Sequence, residues 1–384
     1  MQNAHVRRRA LPLILIGLAL PGSAHAATLT LNAPGTVTYG HTASFSGAVE
    51  PAQAGVQVQI STAGPSPQLV TTATTDAAGA YTAAVVFKSP GTFVATAQVG
   101  PTTLTSGPAS VALRARLTTR VRGSHMVGGR LLLTGRIQPR AAGHLMLRVE
   151  GRSRRVRIGA VGRFHITLPT TLPRRVRWTL KLTPAAGYAT VRHTRLYRVS
   201  GPSLAWGSRG TAVLALERRL HQLHYALLGP NGVYGYDTYS AVMAFQKVNG
   251  LTRTGRVTPY LWSRLVRAGV PHAYIPHGTH IEVSKTRQIL FEVRNGKVVN
   301  VSHVSTGATG NTPVGRFHVY RVSPGTNAKG MYYSLYFLRG FAIHGYHSVP
   351  AYQASHGCVR TPLWFAYAFY QRWAHIGTEI DVFG

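Results

Sequence analysis

The chain of 384 residues has little of three things: cysteine, acidic residues and long apolar runs. Its single cysteine can form no internal disulfide and no CxxC zinc or redox site. Nine Asp and Glu residues leave little material for an acidic calcium site or for catalysis by paired carboxylates. No segment after residue 26 has 18 uninterrupted apolar residues, so we expect no membrane-spanning helix and a soluble mature protein.

Basic residues, by contrast, are abundant, and 42 Lys and Arg give a formal net charge of +33. The hydrophobic fraction of 45%, with 41 Gly and 22 Pro, is typical of folded, turn-rich domains rather than of a disordered tail. We therefore expect about two to four domains. The charge predicts an anionic partner, with nucleic acid, a membrane surface and a cell-wall polymer as the candidates.

The N-terminus has the three parts of a secretory signal peptide. Residues 7–9 are arginines, residues 11–20 are an apolar stretch too short to span a bilayer, and Ala24-His25-Ala26 is a small-x-small site. We predict a signal peptide over residues 1–26 with cleavage after Ala26; an uncleaved anchor is the alternative. Export argues against nucleic acid as the partner.

Residues 27–113 and 114–200 have the same turn pattern. Both alternate apolar and small polar residues between Gly and Pro turns, as β-sandwiches do. The repeated turn residues are Gly40, Gly47, Pro51 and Gly55, which recur 88 residues later as Gly128, Gly135, Pro139 and Gly143. Turns in the same order predict two tandem all-β immunoglobulin-like sandwiches, with a spacer or adhesion role.

The two repeats differ in charge. Residues 27–113 have a net charge of −1, whereas residues 114–200 hold 20 basic residues and a single acid, Glu150. The densest basic run is residues 152–157. This pattern predicts an anion-binding face or a solvated basic surface. Wall teichoic acid or another acidic envelope polymer is the partner we expect.

Residues 201–270 change to helical periodicity. Val213, Leu216 and Leu220 are spaced along one helix face, a second run follows near Phe245, and Thr258-Pro259 begins a third helix. With Asn231-Gly232, Phe245-Gln246 and Gly255, this segment resembles the type 1 peptidoglycan-binding domain. The resemblance implies a small three-helix domain that docks a cell-wall enzyme on peptidoglycan.

Residues 275–384 predict a mostly antiparallel β domain with one or two helices. An Asn295-Gly296 turn joins two of the strands, and Thr361-Pro362 begins a helix. The predicted strands cover residues 280–283, 288–293, 297–305, 316–322, 331–338 and 341–344.

The single cysteine lies in Ser355-His356-Gly357-Cys358-Val359-Arg360, downstream of His344-Gly345. A thiol with a histidine base is the pair that nucleophilic acyl transfer needs. If the histidines and Arg360 cluster around Cys358, we expect them to favour the thiolate. No Asp or Glu lies between Glu292 and Glu379, so a backbone carbonyl or an amide side chain is the expected partner that orients the base.

These residues, with Ser305-Thr306-Gly307 and residues 312–317, resemble the signature of L,D-transpeptidases, the YkuD-type catalytic domain. The resemblance covers about residues 275–383. It implies an exported enzyme, in the cell wall or periplasm of a bacterium, that needs no cofactor or metal. Its cysteine attacks the stem tetrapeptide, releases D-alanine and passes the acyl group to an acceptor amine. It also implies covalent inhibition by carbapenems.

The resemblance implies a role for each motif residue. Cys358 is the nucleophile, His344 the base, and the Gly345 carbonyl orients His344. His356 and Gly357 shape the oxyanion hole together with the Cys358 amide. The residues expected to support the loop, bind substrate or wall the acyl-donor cleft are Ser355, Arg360, Tyr332, Tyr346 and Tyr352.

Three alternatives remain open from the sequence. His344, His347, His356 and Cys358 could form a zinc site. The chain could be a non-catalytic wall-binding protein with a degenerate catalytic fold. It could also be an L,D-carboxypeptidase, which would use the same residues with water as the acceptor.

Overall fold

The computed structural model describes residues 26–384, so the predicted signal peptide, apart from Ala26, lies outside the described residues. The described part is mostly β, with four α-helices. None of these helices has the length and apolar content needed to span a bilayer. The described chain divides into two compact units. The first comprises residues 26–116, Ala141–Gly143 and Pro184–Val191, and the second comprises Leu117–Arg140, His144–Thr183 and Arg192–Gly384.

The first unit is built on strands from residues 28–114. They are β1 Thr28–Leu29, β2 Thr36–Thr38, β3 Thr42–Glu50, β4 Gln57–Thr62, β5 Leu69–Thr74, β6 Ala80–Val86, β7 Gly91–Val99, β8 Thr102–Thr105 and β9 Ala109–Arg114. One sheet has the order β1-β3-β6, and β4, β5, β7 and β9 belong to a second sheet. Buried side chains of both sheets form one core, in which the rings of Phe45, Phe87 and Phe93 contact each other.

The next strands cover residues 116–198. They are β10 Arg116–Gly123, β11 Leu131–Gln138, β12 Gly143–Val149, β13 Arg152–Arg155, β14 Arg163–Leu168, β15 Arg175–Pro184, β16 Tyr188–Ala189 and β17 Arg192–Arg198. They form a sheet β10-β11-β14 and a sheet β13-β12-β15-β17; β16 pairs with β9 in the first unit. Along β15, buried Val176, Trp178 and Leu180 alternate with outward-facing residues.

One glycine pair of the sequence repeat, Gly47 and Gly135, has the same structural role in both copies. A side chain at Gly47 would collide with the Thr30 carbonyl and the Tyr81 ring. One at Gly135 would collide with the Thr118 carbonyl and the Phe164 ring. Thr118 lies 88 residues after Thr30, which is the offset of the two glycines. The repeat therefore reflects one packing constraint that occurs twice.

Three helices follow: α1 Thr211–Gln222, α2 Tyr236–Val248 and α3 Pro259–Arg267. The predicted start of α3 is confirmed, because the Thr258 hydroxyl accepts a hydrogen bond from the Leu261 amide at 3.2 Å. The buried carboxylate of Glu217 accepts hydrogen bonds from the amides of Asn231 and Gly232. The Gln246 side chain accepts from the Gly255 amide. These motif residues hold the loops of the helical region.

The C-terminal region contains two further sheets and α4 Leu363–Trp373. Its strands are β18 His280–Ser284, β19 Ile289–Arg294, β20 Lys297–His303, β21 Gly315–His318, β22 Arg321–Thr326, β23 Tyr332–Leu338, β24 Phe341–Tyr346, β25 Val359–Pro362 and β26 Glu379–Phe383. The sheet orders are β20-β19-β18-β26-β21 and β22-β23-β24-β25. Glu292 accepts hydrogen bonds from Arg372 and Trp373, which ties α4 to β19.

Two predicted elements differ from the structure. The strand predicted over residues 316–322 is two strands, because the chain leaves one sheet after His318 and enters the other at Arg321. The helix predicted from Thr361-Pro362 begins at Leu363. Thr361 and Pro362 end β25, and Pro362 has the extended backbone angles of a residue that precedes a helix.

Candidate active site

A cavity of about 640 Å³ lies at the end of the sheet β22-β23-β24-β25. Of the residues singled out in the sequence, His344, Tyr346, Ser355, His356, Cys358 and Arg360 line it. The pairing of β24 with β25 explains this convergence. The two strands run parallel with His344 opposite Arg360, so the segment that enters β25 passes beside the histidine. Two distant parts of the sequence thereby share one cavity.

His344 is 4% exposed, and a single tautomer fits its surroundings. Its Nδ1 lies 2.9 Å from the carbonyl oxygen of Gly345. Because a carbonyl only accepts hydrogen bonds, Nδ1 carries the proton and Nε2 has a lone pair. Burial, reinforced by the nearby Arg360 cation and partly offset by the bond to Gly345, lowers the pKa of His344 to about 4. The imidazole is therefore neutral at physiological pH.

Cys358 is half-buried, and its Sγ lies 3.6 Å from the Gly340 carbonyl oxygen. Burial raises the pKa of its thiol, although a backbone contact with Ala342 and the charges of Arg360 and Lys329 act in the opposite direction. The Arg360 charge favours the thiolate, as expected, but desolvation by burial outweighs it, so Cys358 rests as a thiol.

Ser355 fixes the turn that presents the cysteine. Its hydroxyl donates to the Cys358 carbonyl at 2.6 Å and accepts from the Gly357 amide at 3.0 Å. Gly357 has a φ of 129°, and a side chain there would lie 2.5 Å from the Phe341 ring. The Gly357 amide is thus engaged within the loop. Among residues 26–384 the Cys358 amide has no acceptor, which leaves it available to a developing oxyanion.

Two segments of the chain match the models of known protein families. Residues 278–382 match the family model of the L,D-transpeptidase catalytic domain, YkuD, and residues 209–265 match that of a putative peptidoglycan binding domain. An L,D-transpeptidase crystal structure from Xylanimonas cellulosilytica is 35% identical, covers 47% of this chain and 97% of its own, and has a TM-score of 0.45. The chain belongs to the YkuD-type L,D-transpeptidase family. The catalytic-domain match supports a peptidoglycan L,D-transpeptidase type of function, and the two matches together indicate the cell wall.

Two other similar proteins add less. A fused Zn-dependent amidase/peptidase/peptidoglycan-binding protein from Clostridium acetobutylicum is 19% identical, covers 47% of this chain and 99% of its own, and has a TM-score of 0.23. An uncharacterized protein in the bpoA1 3' region of Kitasatospora aureofaciens is 38% identical over 71 residues, which are 18% of this chain. The chain spans 59% of the length of that relative.

The cavity of the L,D-transpeptidase domain is electropositive. Arg321, Lys329 and Arg360 line it, and no acidic residue does. The Arg360 guanidinium lies 4.2 Å from the centre of the Tyr346 ring, and that of Arg321 lies 3.9 Å from the centre of the Tyr336 ring. Aromatic faces hold both cations in place. The site is therefore suited to a substrate that carries carboxylates.

The structure places two predicted wall residues elsewhere. The Tyr332 ring lies against Tyr333, with 4.6 Å between the ring centres, and Tyr352 is 66% exposed. Neither lines the cavity, whose aromatic lining is Tyr336, Phe341 and Tyr346. Residues 331–338 are almost all apolar or aromatic, so their sequence does not show which tyrosine faces the cavity.

Sequence reasoning missed two residues that support the loop. Thr312 donates from its hydroxyl to the Gly357 carbonyl at 2.7 Å and accepts from the Gly307 amide at 2.9 Å. Asn311 donates from its amide to the His356 carbonyl at 3.0 Å. Thr312 begins the segment 312–317, which resembles the L,D-transpeptidase signature. Its hydrogen bond to the Gly357 carbonyl is a structural reason for a threonine at position 312.

The zinc alternative has no ligand set. In the part of the chain that the structure describes, no three His, Cys, Asp or Glu side chains converge as a metal site. The carboxylates of this domain have other partners: Glu282 accepts from the amides of Tyr274 and Ile275, and Asp381 accepts from Arg316.

Proposed function

We propose that the protein is an exported peptidoglycan L,D-transpeptidase that acts through an acyl-enzyme on Cys358. The observation that carries the proposal is the presence of a neutral histidine and a thiol in the lining of one cationic cavity. The bond from Nδ1 to Gly345 orients His344 as a base, with the Nε2 lone pair free to accept a proton.

The reaction follows from these groups. His344 Nε2 takes the thiol proton as Cys358 Sγ attacks the carbonyl that precedes the terminal D-alanine of a tetrapeptide. The Cys358 amide donates to the resulting oxyanion. His344 then gives the proton to the leaving amine, and D-alanine departs while a thioester remains on Sγ. In the second half the acceptor amine attacks the thioester, His344 takes the amine proton, and the thiol is restored.

The raised pKa of the thiol makes the base essential. Little thiolate exists before substrate binds, so proton transfer to His344 has to accompany the attack. The cations at Arg321, Lys329 and Arg360 bind the carboxylates of the donor stem peptide and hold its scissile bond near Sγ. A carbapenem bound in the same cavity would acylate Cys358 by opening of its β-lactam ring: Sγ attacks the lactam carbonyl, the ring C–N bond breaks, and His344 passes the thiol proton to the ring nitrogen.

The remaining regions have supporting roles in this proposal. A signal peptide over residues 1–26 directs export. Residues 27–113 and 114–200 are immunoglobulin-like sandwiches that act as spacers, the second one facing anionic wall polymers. Residues 201–270 dock the enzyme on peptidoglycan, and residues 275–384 carry out catalysis.

Purified protein incubated with disaccharide-tetrapeptide muropeptides tests the proposal, with the products measured by mass spectrometry. Cross-linked dimers and free D-alanine are expected. Tripeptide without dimer would instead indicate an L,D-carboxypeptidase, with water as the acceptor. A Cys358→Ala variant that forms as much product as the wild type would exclude the cysteine mechanism, as would a wild-type protein that forms neither product.

A further inference from the structure

A groove of about 1330 Å³ lies beside the sheet β13-β12-β15-β17, and its lining is strongly positively charged. We call it the arginine groove, after the seven arginines in its lining: Arg148, Arg152, Arg154, Arg174, Arg175, Arg177 and Arg192. Its one acidic residue, Glu150, forms a salt bridge with Arg174. Within residues 26–384 the other six arginines form no salt bridge.

The outward face of this sheet places like charges opposite one another. Arg175 pairs with Arg198, and Lys181 pairs with Arg192. Like charges directly across an antiparallel pair are destabilising. The core does not depend on these charged pairs, because the inward face of β15 is apolar. Between the two charged pairs, the hydroxyl groups of Thr179 and Thr194 lie 3.0 Å apart. A bound anion would remove this repulsion.

The lining indicates which kind of anion fits. Of the 20 basic residues in 114–200, 19 are Arg, whose planar fork binds phosphate or carboxylate oxygens in pairs. Arg175 and Arg177 lie two residues apart on one strand, about 6.6 Å, so the groove fits charges that recur along a chain. No aromatic residue lines the groove, so it lacks the aromatic side chains on which sugar rings and bases commonly stack.

We propose that the arginine groove is a second, non-catalytic binding site for a linear polyol-phosphate polymer, whose phosphodiester charges recur along a chain with little ring surface. The site lies outside the catalytic cavity, and it concerns attachment of the enzyme rather than its reaction. The choice of a wall polymer rests on the proposed function, whereas the groove itself does not.

Binding of the full chain to purified poly(glycerol phosphate) tests the proposal. The groove variant replaces Arg148, Arg175, Arg177 and Arg192 with Gln. The matched control replaces Arg120, Arg122, Arg130 and Arg163 with Gln, which removes the same charge from exposed positions outside the groove. We expect the groove variant to bind at least tenfold more weakly, with an affinity that depends less steeply on salt concentration than that of the wild type. The control should stay within threefold of the wild type.

Equal weakening of both variants, or no binding by the wild type, would overturn the proposal. Polygalacturonate and a single-stranded oligonucleotide serve as competing polyanions. If either polyanion binds the wild type as tightly as the polyol phosphate does, and the groove variant weakens its binding by the same factor, then the assignment of the groove to a polyol phosphate is wrong. Thermal unfolding confirms that both variants fold, and muropeptide turnover, which neither variant should change, separates this site from the proposed catalytic function.

Discussion

The Lys247 ammonium lies 3.2 Å from Nδ1 of His303, and both side chains are buried. Lys247 comes from α2 of the peptidoglycan-binding region, whereas His303 ends β20 of the catalytic domain. Lys247 Nζ also donates to the carbonyls of Gln288 and Val304, at 3.0 and 2.9 Å. Burial first, and then a neighbouring cation, lowers the pKa of each group well below its usual range. Two basic groups can therefore lie together without a carboxylate.

Further hydrogen bonds connect this contact to the turn before Cys358. The Gln288 side chain donates to the Thr306 hydroxyl and accepts from the Thr306 amide, at 2.6 and 2.8 Å. The Thr306 carbonyl accepts from the Ser355 amide at 2.9 Å. Ser355 in turn holds the turn before Cys358. One chain of hydrogen bonds thus joins the binding region to the nucleophile.

Replacement of Lys247 by Met should destabilise the protein. The Val304 carbonyl loses its buried donor, at a cost of about 1–3 kcal/mol for an unsatisfied buried group, whereas the Gln288 carbonyl keeps the hydrogen bond from the Val304 amide. Acylation should slow as well, because Gln288 holds Thr306. Denaturant unfolding and the rate of acylation measure the two effects. Arg218→Met, at an exposed position of α1, is the control and should change neither; equal behaviour of the two variants would contradict the network.

The rate of acylation should depend on pH as a broad plateau. Protonation of His344 removes the base, so kcat/KM for the donor should fall to half near pH 4, the pKa to which burial lowers His344. On the alkaline side the rate should fall only above the pKa of an ordinary thiol, since burial raises that of Cys358. An acid limb near the ordinary histidine pKa, about 6.5, would show that His344 is not the base in this environment.

Replacement of Arg360 by Gln should move both limbs in the same direction. The Arg360 charge lowers the pKa of His344 and that of Cys358, so its loss raises both. Because the chain has one cysteine, the pH dependence of alkylation by iodoacetamide reports on Cys358 alone. Its midpoint should rise in Arg360→Gln and stay in place in Arg360→Lys, which keeps the charge. No shift in either variant would mean that Arg360 does not act on the thiol.

Gly357→Ala should impair both folding and catalysis. The φ of 129° is unfavourable for any residue with a side chain, and the new methyl group would lie 2.5 Å from the Phe341 ring. We expect a loss of about 1–3 kcal/mol in the free energy of unfolding and at least a tenfold slower acylation, as the loop shifts. Gly269→Ala, with open space around it, is the control. Wild-type acylation by Gly357→Ala would contradict the role given to this turn.

Features that depend on neighbouring residues in the sequence were easier to predict than features that depend on residues distant in the sequence. The presence of α1 follows from its apolar spacing, and the start of α3 follows from the Thr258 cap; both signals lie within a few residues of the helix that they define. The proposed catalytic pair, His344 and Cys358, followed from a motif. The break in the strand predicted over residues 316–322 could not be seen, because it depends on which sheet each half joins.

The electrostatic state of the site was also hidden from the sequence. Cationic neighbours of Cys358 suggested a thiolate, but the desolvation that overrides them exists only after β24 and β25 pair. Lys247 gave no signal either. A lysine in a helix is normally exposed, and it is buried here because α2 lies against β20.

The mass of the intact protein after exposure to a tetrapeptide donor shows directly whether an acyl-enzyme forms. We expect one added acyl group, equal to the donor minus D-alanine, mapped by peptide fragmentation to Cys358. The adduct should be absent in Cys358→Ala, and it should disappear from the wild type when an acceptor peptide is added, as cross-linked dimer forms. Dimer formation by Cys358→Ala, or an adduct on any other residue, would contradict an acyl-enzyme on Cys358.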